Sequence, residues 1–326
     1  MTLARTWSVG LIGVAGAMVE VEVDIAAGLP GVTLVGLPDT VVRQSVDRVR
    51  AAVTNAGKEF PNRRITIGLS PASMPKQGSG FDLALAAGVL AAAKTVPPES
   101  VDALVLLGEL GLDGSVRAIR GVLPSVLAAA RAGHRRIVVP SGNADEAGLV
   151  EGIQVLPVGT LRELVEHLTG RRPLRPHVRG ELPAPPPGPD LGDVVGQATG
   201  RRAVEVAAAG GHHLYLSGPP GAGKTMLAER LPGLLPLLDD DAALEVTAIH
   251  SVAGTLPAGA PLVTRPPFEA PHHSATMAAL VGGGSGQIRP GALCRAHRGV
   301  LFLDKASQRD ARQASAAADR LNVLVS

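Results

Sequence analysis

Aromatic residues are scarce: one Trp, one Tyr and four Phe among 326 residues. The cores must therefore be built from Ala, Val, Leu and Gly, and a surface that stacks nucleic-acid bases on rings has few platforms. A single cysteine, Cys294, excludes an intrachain disulfide and a cysteine-based zinc site, and suits a reducing cytosol. Long apolar runs are missing as well. Leu11 to Met18 is too short to span a bilayer, carries no secretory cleavage site and runs into Glu20, Glu22 and Asp24. The expectation is a cytoplasmic protein with no membrane partner. Lys plus Arg exceed Asp plus Glu by only two, a balance that leaves nucleic-acid partners open. A chain of this length is expected to hold two domains, each with its own core.

Against this background GPPGAGKT, Gly218 to Thr225, stands out. It fits the pattern of Gly, four residues, Gly-Lys and Thr that cradles a polyphosphate on backbone N–H groups. Gly218, Gly221 and Gly223 let the backbone approach the phosphates, with Pro219, Pro220 and Ala222 completing the loop and Met226 beginning the following turn. Lys224 is the point charge for the β/γ-phosphates, and the Thr225 hydroxyl is the Mg²⁺ ligand. His213 to Ser217 reads as a strand before the loop and Met226 to Leu231 as a helix after it, its N-terminus facing the anion. ATP or ADP with Mg²⁺ is the implied ligand.

In the first half, Val19, Val21, Val23 and Ile25 alternate with acidic residues as a one-face-buried strand. Asp39 is placed to cap a helix bearing Val42, Val46, Val49 and Val53 on one side, closed by Gly57. A strand at 64–69, a helix from about Phe81, a hairpin turning at Asp113-Gly114, and helices and strands alternating to Leu168 imply a mixed α/β domain. Ser79, Lys76 and Asp82 are its candidate chemical groups, though Ser and Lys beside glycines are ordinary turn residues. Residues 171–190, with seven prolines, read as an extended linker; Arg171, Arg172, Arg175 and Arg179 there read as solvated charge.

In the second half, Val194 and Val195 of DVVGQ precede a helix running toward the loop, and a further helix is expected at Asp239 to Ser251. His272 and His273 are adjacent, which on an extended chain points them apart and makes a poor chelating pair. Gly299 to Leu303 is a continuous apolar run ending in Asp304, the pattern of a buried parallel strand that delivers a carboxylate to Mg²⁺.

Three segments carry a resemblance: VEVDIAAGLPGVTLVGLPDT, PKQGSGFDLALA and GELGLDGSVRAIRGVLP. With APHHSA, the GGG run and RPG in the second half, they make the chain resemble the magnesium-chelatase-like AAA+ family of ComM/YifB type. The resemblance implies an α/β protein with an N-terminal Lon-protease-like (ribosomal S5 domain 2-like) α+β domain, residues 1–170. Linker 171–190, an incomplete P-loop AAA+ α/β domain at 191–305 and a divergent polar tail at 306–326 would follow. It places Val194 and Val195 beside the adenine, the His-containing segment in a hairpin facing a ring pore, and Asp304 as the Walker B aspartate. The Lon-type Ser and Lys positions fall on Gly80 and Leu123, so a non-catalytic first domain is expected. Lys305 stands where the family has the water-activating Glu, so no catalytic residue is assigned and hydrolysis is expected to be weak or lost. The break from the pattern after Asp304, before the arginine finger and lid, reads as a truncated or frameshifted motor. The implied role is DNA processing and branch migration in a homo-oligomeric, hexameric ring. A magnesium-chelatase ATPase subunit, a Ser/Lys peptidase and a non-enzymatic nucleotide-binding assembly module are the other readings.

Overall fold

The computed structural model describes residues 2–181, 184–185, 187–256, 261–283, 289–304 and 322–325. The chain divides into two compact units, Met1–Glu181 and Leu182–Ser326.

Unit 1 is a mixed α/β domain. In chain order it contains β1 (Thr2–Ile12), β2 (Ala15–Ala26), β3 (Gly31–Val35), α1 (Thr40–Asn55), β4 (Arg64–Ser70) and α2 (Asp82–Ala92). There follow β5 (Leu104–Leu106), β6 (Glu109–Leu110), β7 (Val116–Arg117), α3 (Val122–Arg131), β8 (Arg136–Pro140), α4 (Ala144–Ala147), β9 (Gln154–Val158) and α5 (Leu161–Leu168). Seven strands form one sheet in the order β3-β4-β2-β1-β5-β8-β9. Antiparallel pairing joins β1 to β2 and β2 to β4; β3–β4 and the run β1-β5-β8-β9 are parallel. The hairpin expected around Asp113-Gly114 is the small separate pair β6/β7, while β5 belongs to the main sheet.

Every residue of α2 is buried, as a helix that is apolar all round must be. It rests on the sheet through close contacts: an added Cβ at Gly88 would come within 2.8 Å of Val23 Cγ2, and Thr6 Oγ1 donates to Ala84 O at 3.1 Å. Asp39 caps α1 by accepting from Val42 N at 2.7 Å, and Val42, Val49 and Val53 are buried on the core side. The expected linker does not leave this unit at once: Leu174 N donates to His167 Nδ1 at 3.1 Å, and His177 N donates to Val155 O in the edge strand β9 at 2.8 Å.

Unit 2 contains α6 (Ala198–Gly210), β10 (Leu214–Tyr215), α7 (Lys224–Ala228), α8 (Leu231–Leu234), α9 (Asp240–Ala253) and β11 (Phe268–Glu269). It continues with α10 (Met277–Val281), β12 (Gly282–Gly283), β13 (Arg289–Pro290), α11 (Ala292–Arg295), β14 (Val300–Leu303) and β15 (Asn322–Val325). Its main sheet is parallel with the order β10-β15-β14-β11, and β12 and β13 form a separate antiparallel pair. All four residues of β14 are buried, as the apolar run predicts, and Phe302 stacks on Phe268 with ring centroids 6.2 Å apart. Asp239 caps α9, accepting from Ala242 N at 2.8 Å. The end of the polar tail, Asn322–Val325, is a strand lying between β10 and β14. Lys305 and residues 306–321 lie outside the described residues. Among the described residues no helix is long and apolar enough to cross a membrane.

Candidate functional site

The parallel sheet of unit 2 sets β10 and β14 in the same direction with β15 between them, so that their C-terminal ends open on one edge. The loop after β10 and Asp304 after β14 consequently meet there. They wall a single concavity of about 640 Å³, lined by Tyr215 to Met226, Pro219 excepted, and by Asp304. Gly221 and Gly223 have φ of 80° and 81°, a region that glycine enters without steric cost. Gly218 is not in that region, and an added Cβ there would meet Ala222 Cβ at an ordinary 3.4 Å. The loop's conformation thus depends on its second and third glycines rather than on the first. Lys224 Nζ donates to Gly218 O at 3.0 Å and to Pro219 O at 3.3 Å, which holds the ammonium over the loop.

Other expected features are placed differently. The helix after the loop begins at Lys224 and lasts five residues, and a second short helix carries Pro232 in its first turn. A helix of little more than one turn sums few peptide dipoles, so it adds little positive potential at the loop. Val194 is buried in the core of unit 2 and only Val195, 94% exposed, is available to a ligand. His272 and His273 do not point apart: their ring centroids lie 4.1 Å from each other, and His272 Nδ1 engages Ser274 Oγ. Tyr215 and Leu216 line the concavity without having been singled out from the sequence. Gln197, which reaches the loop from before α6, was also missed.

In unit 1 the candidate groups are held apart by separate partners. Ser79 Oγ donates to Glu109 Oε2, whereas Lys76 Nζ donates to Pro71 O. Lys76 is completely buried, and burial pushes its ammonium below the ordinary lysine range. Asp82 is locked to Arg48 by Nε–Oδ2 and Nη2–Oδ1 bonds of 2.7 and 3.0 Å, and also accepts from Leu110 N. Leu123 is buried in the core and its N–H donates to Glu146 Oε1 at 2.8 Å. An added Cβ at Gly80 would come within 3.3 Å of Ile119 Cδ1.

Comparison with known proteins finds matches in both halves of the chain. A family model described as magnesium chelatase, subunit ChlI, matches residues 190–316, and one described as subunit ChlI of Mg-chelatase matches residues 21–143. The first match continues past Asp304, where the sequence alone reads as leaving the family pattern. An uncharacterized protein of Mycobacterium tuberculosis is 58% identical over 308 residues, covering 94% of this chain and 61% of that protein. The uncharacterized protein YifB of Escherichia coli is 43% identical over 305 residues, and the competence protein ComM of Haemophilus influenzae 42% over 310. Each alignment covers 94% of this chain and 60% of the relative. The chain thus spans about three-fifths of the length of these relatives. Lon protease 2 of Bacillus subtilis is 25% identical over 171 residues, covering 47% of this chain and 30% of that protein. The chain belongs to the magnesium-chelatase-like family that includes YifB and ComM.

Proposed function

We propose that the chain binds ATP or ADP with Mg²⁺ in the concavity of unit 2. The observation that carries this reading is the meeting of the Gly218–Thr225 loop and Asp304 around one space. The loop fits a polyphosphate: Gly221 and Gly223, at positive φ and without side chains, bring bare backbone to the concavity, and Lys224 brings a positive charge that the loop carbonyls already position. Mg²⁺ keeps most of its waters and takes one or two protein oxygens beside the phosphates, a demand that the Thr225 hydroxyl and the Asp304 carboxylate meet. Bound Mg²⁺ would neutralise charge between the phosphates. The chain's own part is to orient the phosphates on loop amides and to hold Lys224 against them. Lys305 follows Asp304 where the family has Glu, and a charged ammonium cannot take a proton from an attacking water. Hydrolysis by this chain is therefore feeble.

For the cellular role we extend the family's reading to this chain: nucleotide-dependent processing of DNA, with branch migration in recombination, in a homo-oligomeric ring. The competence protein among its relatives supports that role. The descriptions of both matching family models support a second reading, an ATPase-like component of a magnesium chelatase.

Calorimetric titration of the full chain with ATP and Mg²⁺ tests the nucleotide site. Lys224→Ala is expected to weaken binding by about 10- to 150-fold, the equivalent of roughly 1.5–3 kcal/mol for a hydrogen bond to a charged group. Phosphate release measured on the same two proteins should stay near background in both. No heat of binding from the folded parent chain would refute the site, and brisk turnover abolished by Lys224→Ala would refute the weak-hydrolysis reading.

A further inference from the structure

Gln197 grips the phosphate-binding loop from outside. It lies directly before α6 with φ 52° and ψ 36°, a left-handed conformation rare outside glycine. Its backbone carbonyl accepts from Arg201 N at 2.8 Å and so starts the helix, while its side-chain Nε2 donates to Ala222 O at 2.8 Å. A carbonyl can only accept, so the amide nitrogen of Gln197 must be the atom that faces it.

The consequence follows from the planarity of the next peptide bond. In a trans peptide the C=O and the following N–H point in opposite directions, so holding Ala222 O toward Gln197 turns Gly223 N–H to the far side. Gly223 sits at φ 81° with no side chain, and a glycine peptide of this kind has little of its own to stop it rotating. Gly223 also lines the concavity between the loop and Asp304. We propose that Gln197 is a positioning residue for nucleotide binding, a latch that keeps the Ala222–Gly223 peptide in the orientation the phosphates need. The inference rests on the nucleotide reading of the loop and adds a residue that lies outside the GPPGAGKT pattern.

Two substitutions separate positioning from folding. Gln197→Met keeps length and removes the donor; Gln197→Glu keeps shape and sets an acceptor against Ala222 O. Titrated with ATP and Mg²⁺ at pH 8, the Met variant is expected to bind about three- to tenfold more weakly than the parent, and the Glu variant more weakly still. At pH 5 a rising fraction of the Glu side chain is protonated and can donate again. Its deficit, taken as the ratio of Kd values to the parent at the same pH, should narrow, while that of the Met variant should not. Parent-like affinity in both variants overturns the latch, as does a lowered melting temperature with unchanged affinity or a Glu deficit that does not respond to pH. If the Glu variant fails to fold, the Met variant against the parent decides the question. A parent chain that binds no nucleotide overturns the site itself and the latch with it, whereas a parent that binds beside unaffected variants overturns the latch alone.

Discussion

Arg48→Ala is expected to lower the unfolding free energy of unit 1 by about 3–5 kcal/mol, the usual cost of leaving one member of a buried ion pair alone. The Asp82 carboxylate is completely buried and Arg48 is largely so, its side chain 20% exposed. The guanidinium meets both carboxylate oxygens and also donates to Ser45 Oγ at 2.8 Å, tying α1 to the first residue of α2. Burial pushes the Asp82 carboxyl up from its ordinary range, and the Arg48 fork is the main influence opposing that shift. Without Arg48 the burial is opposed only by the Ser45 hydroxyl and one N–H bond from Leu110.

The sign of the pH dependence follows. A folded-state carboxyl raised above its unfolded value binds more protons in the folded state, so stability falls as pH rises through the window between the two. The deficit of Arg48→Ala should thus be smaller near pH 4 than at pH 7. Replacing both partners, as in Arg48→Met with Asp82→Leu, should cost less than Arg48→Ala, because no charge is left stranded. Thermal and urea unfolding of the full chain, following the transition of unit 1, measure all three. A single-variant loss below about 1 kcal/mol would mean that the pair is no more than a surface contact.

How much of this was legible depends on where the physical signal was written. The cap at Asp39 was readable because a side-chain oxygen before an apolar periodic run has one obvious use, and it accepts from the N–H three residues on; Asp239, where only a helix start was expected, does the same. The buried run of β14 and the glycine-lysine loop were readable for the same reason, since composition and position agree. Strand β1 was not. Its inward face carries Ala4, Thr6 and Ser8, with Thr6 and Ser8 bonded to Ala84 O and Leu106 O, while Leu3 is 55% exposed. Alternation of hydropathy there points the wrong way, because small residues are what a closely seated helix demands. Complete burial of Lys76, a residue type normally on the surface, was equally invisible, as was the reach of Gln197 to a loop 25 residues away. The pairing of Asp304 with the loop could be anticipated from motif order, but the strand that lies between them could not. Asn322 to Val325 is four residues long, too short for periodicity to separate strand from helix.

That strand carries the other large prediction. Val323 pairs with Leu301, and Leu324 pairs with Leu214 on one side and Phe302 on the other, so β15 is the inner member that joins β10 to β14. Neighbouring residues in a strand send their N–H groups to opposite sides, so proline at 323 and proline at 324 each break one of the two ladders. Either substitution should destabilise unit 2 by at least about 3 kcal/mol, at the upper end of ordinary single-residue losses. Nucleotide affinity should fall with it, because the loop and Asp304 would lose the strand that sets their spacing. Asn322→Pro, at the first position of the strand, should be better tolerated. Scanning calorimetry of the full chain with and without ATP and Mg²⁺ reads both effects, with unit 1 as an internal reference that none of these changes should move. Should Leu324→Pro keep the parent's affinity and melting behaviour, β15 would not be what holds the phosphate loop and the carboxylate together, and their juxtaposition would have to come from the helices behind the sheet.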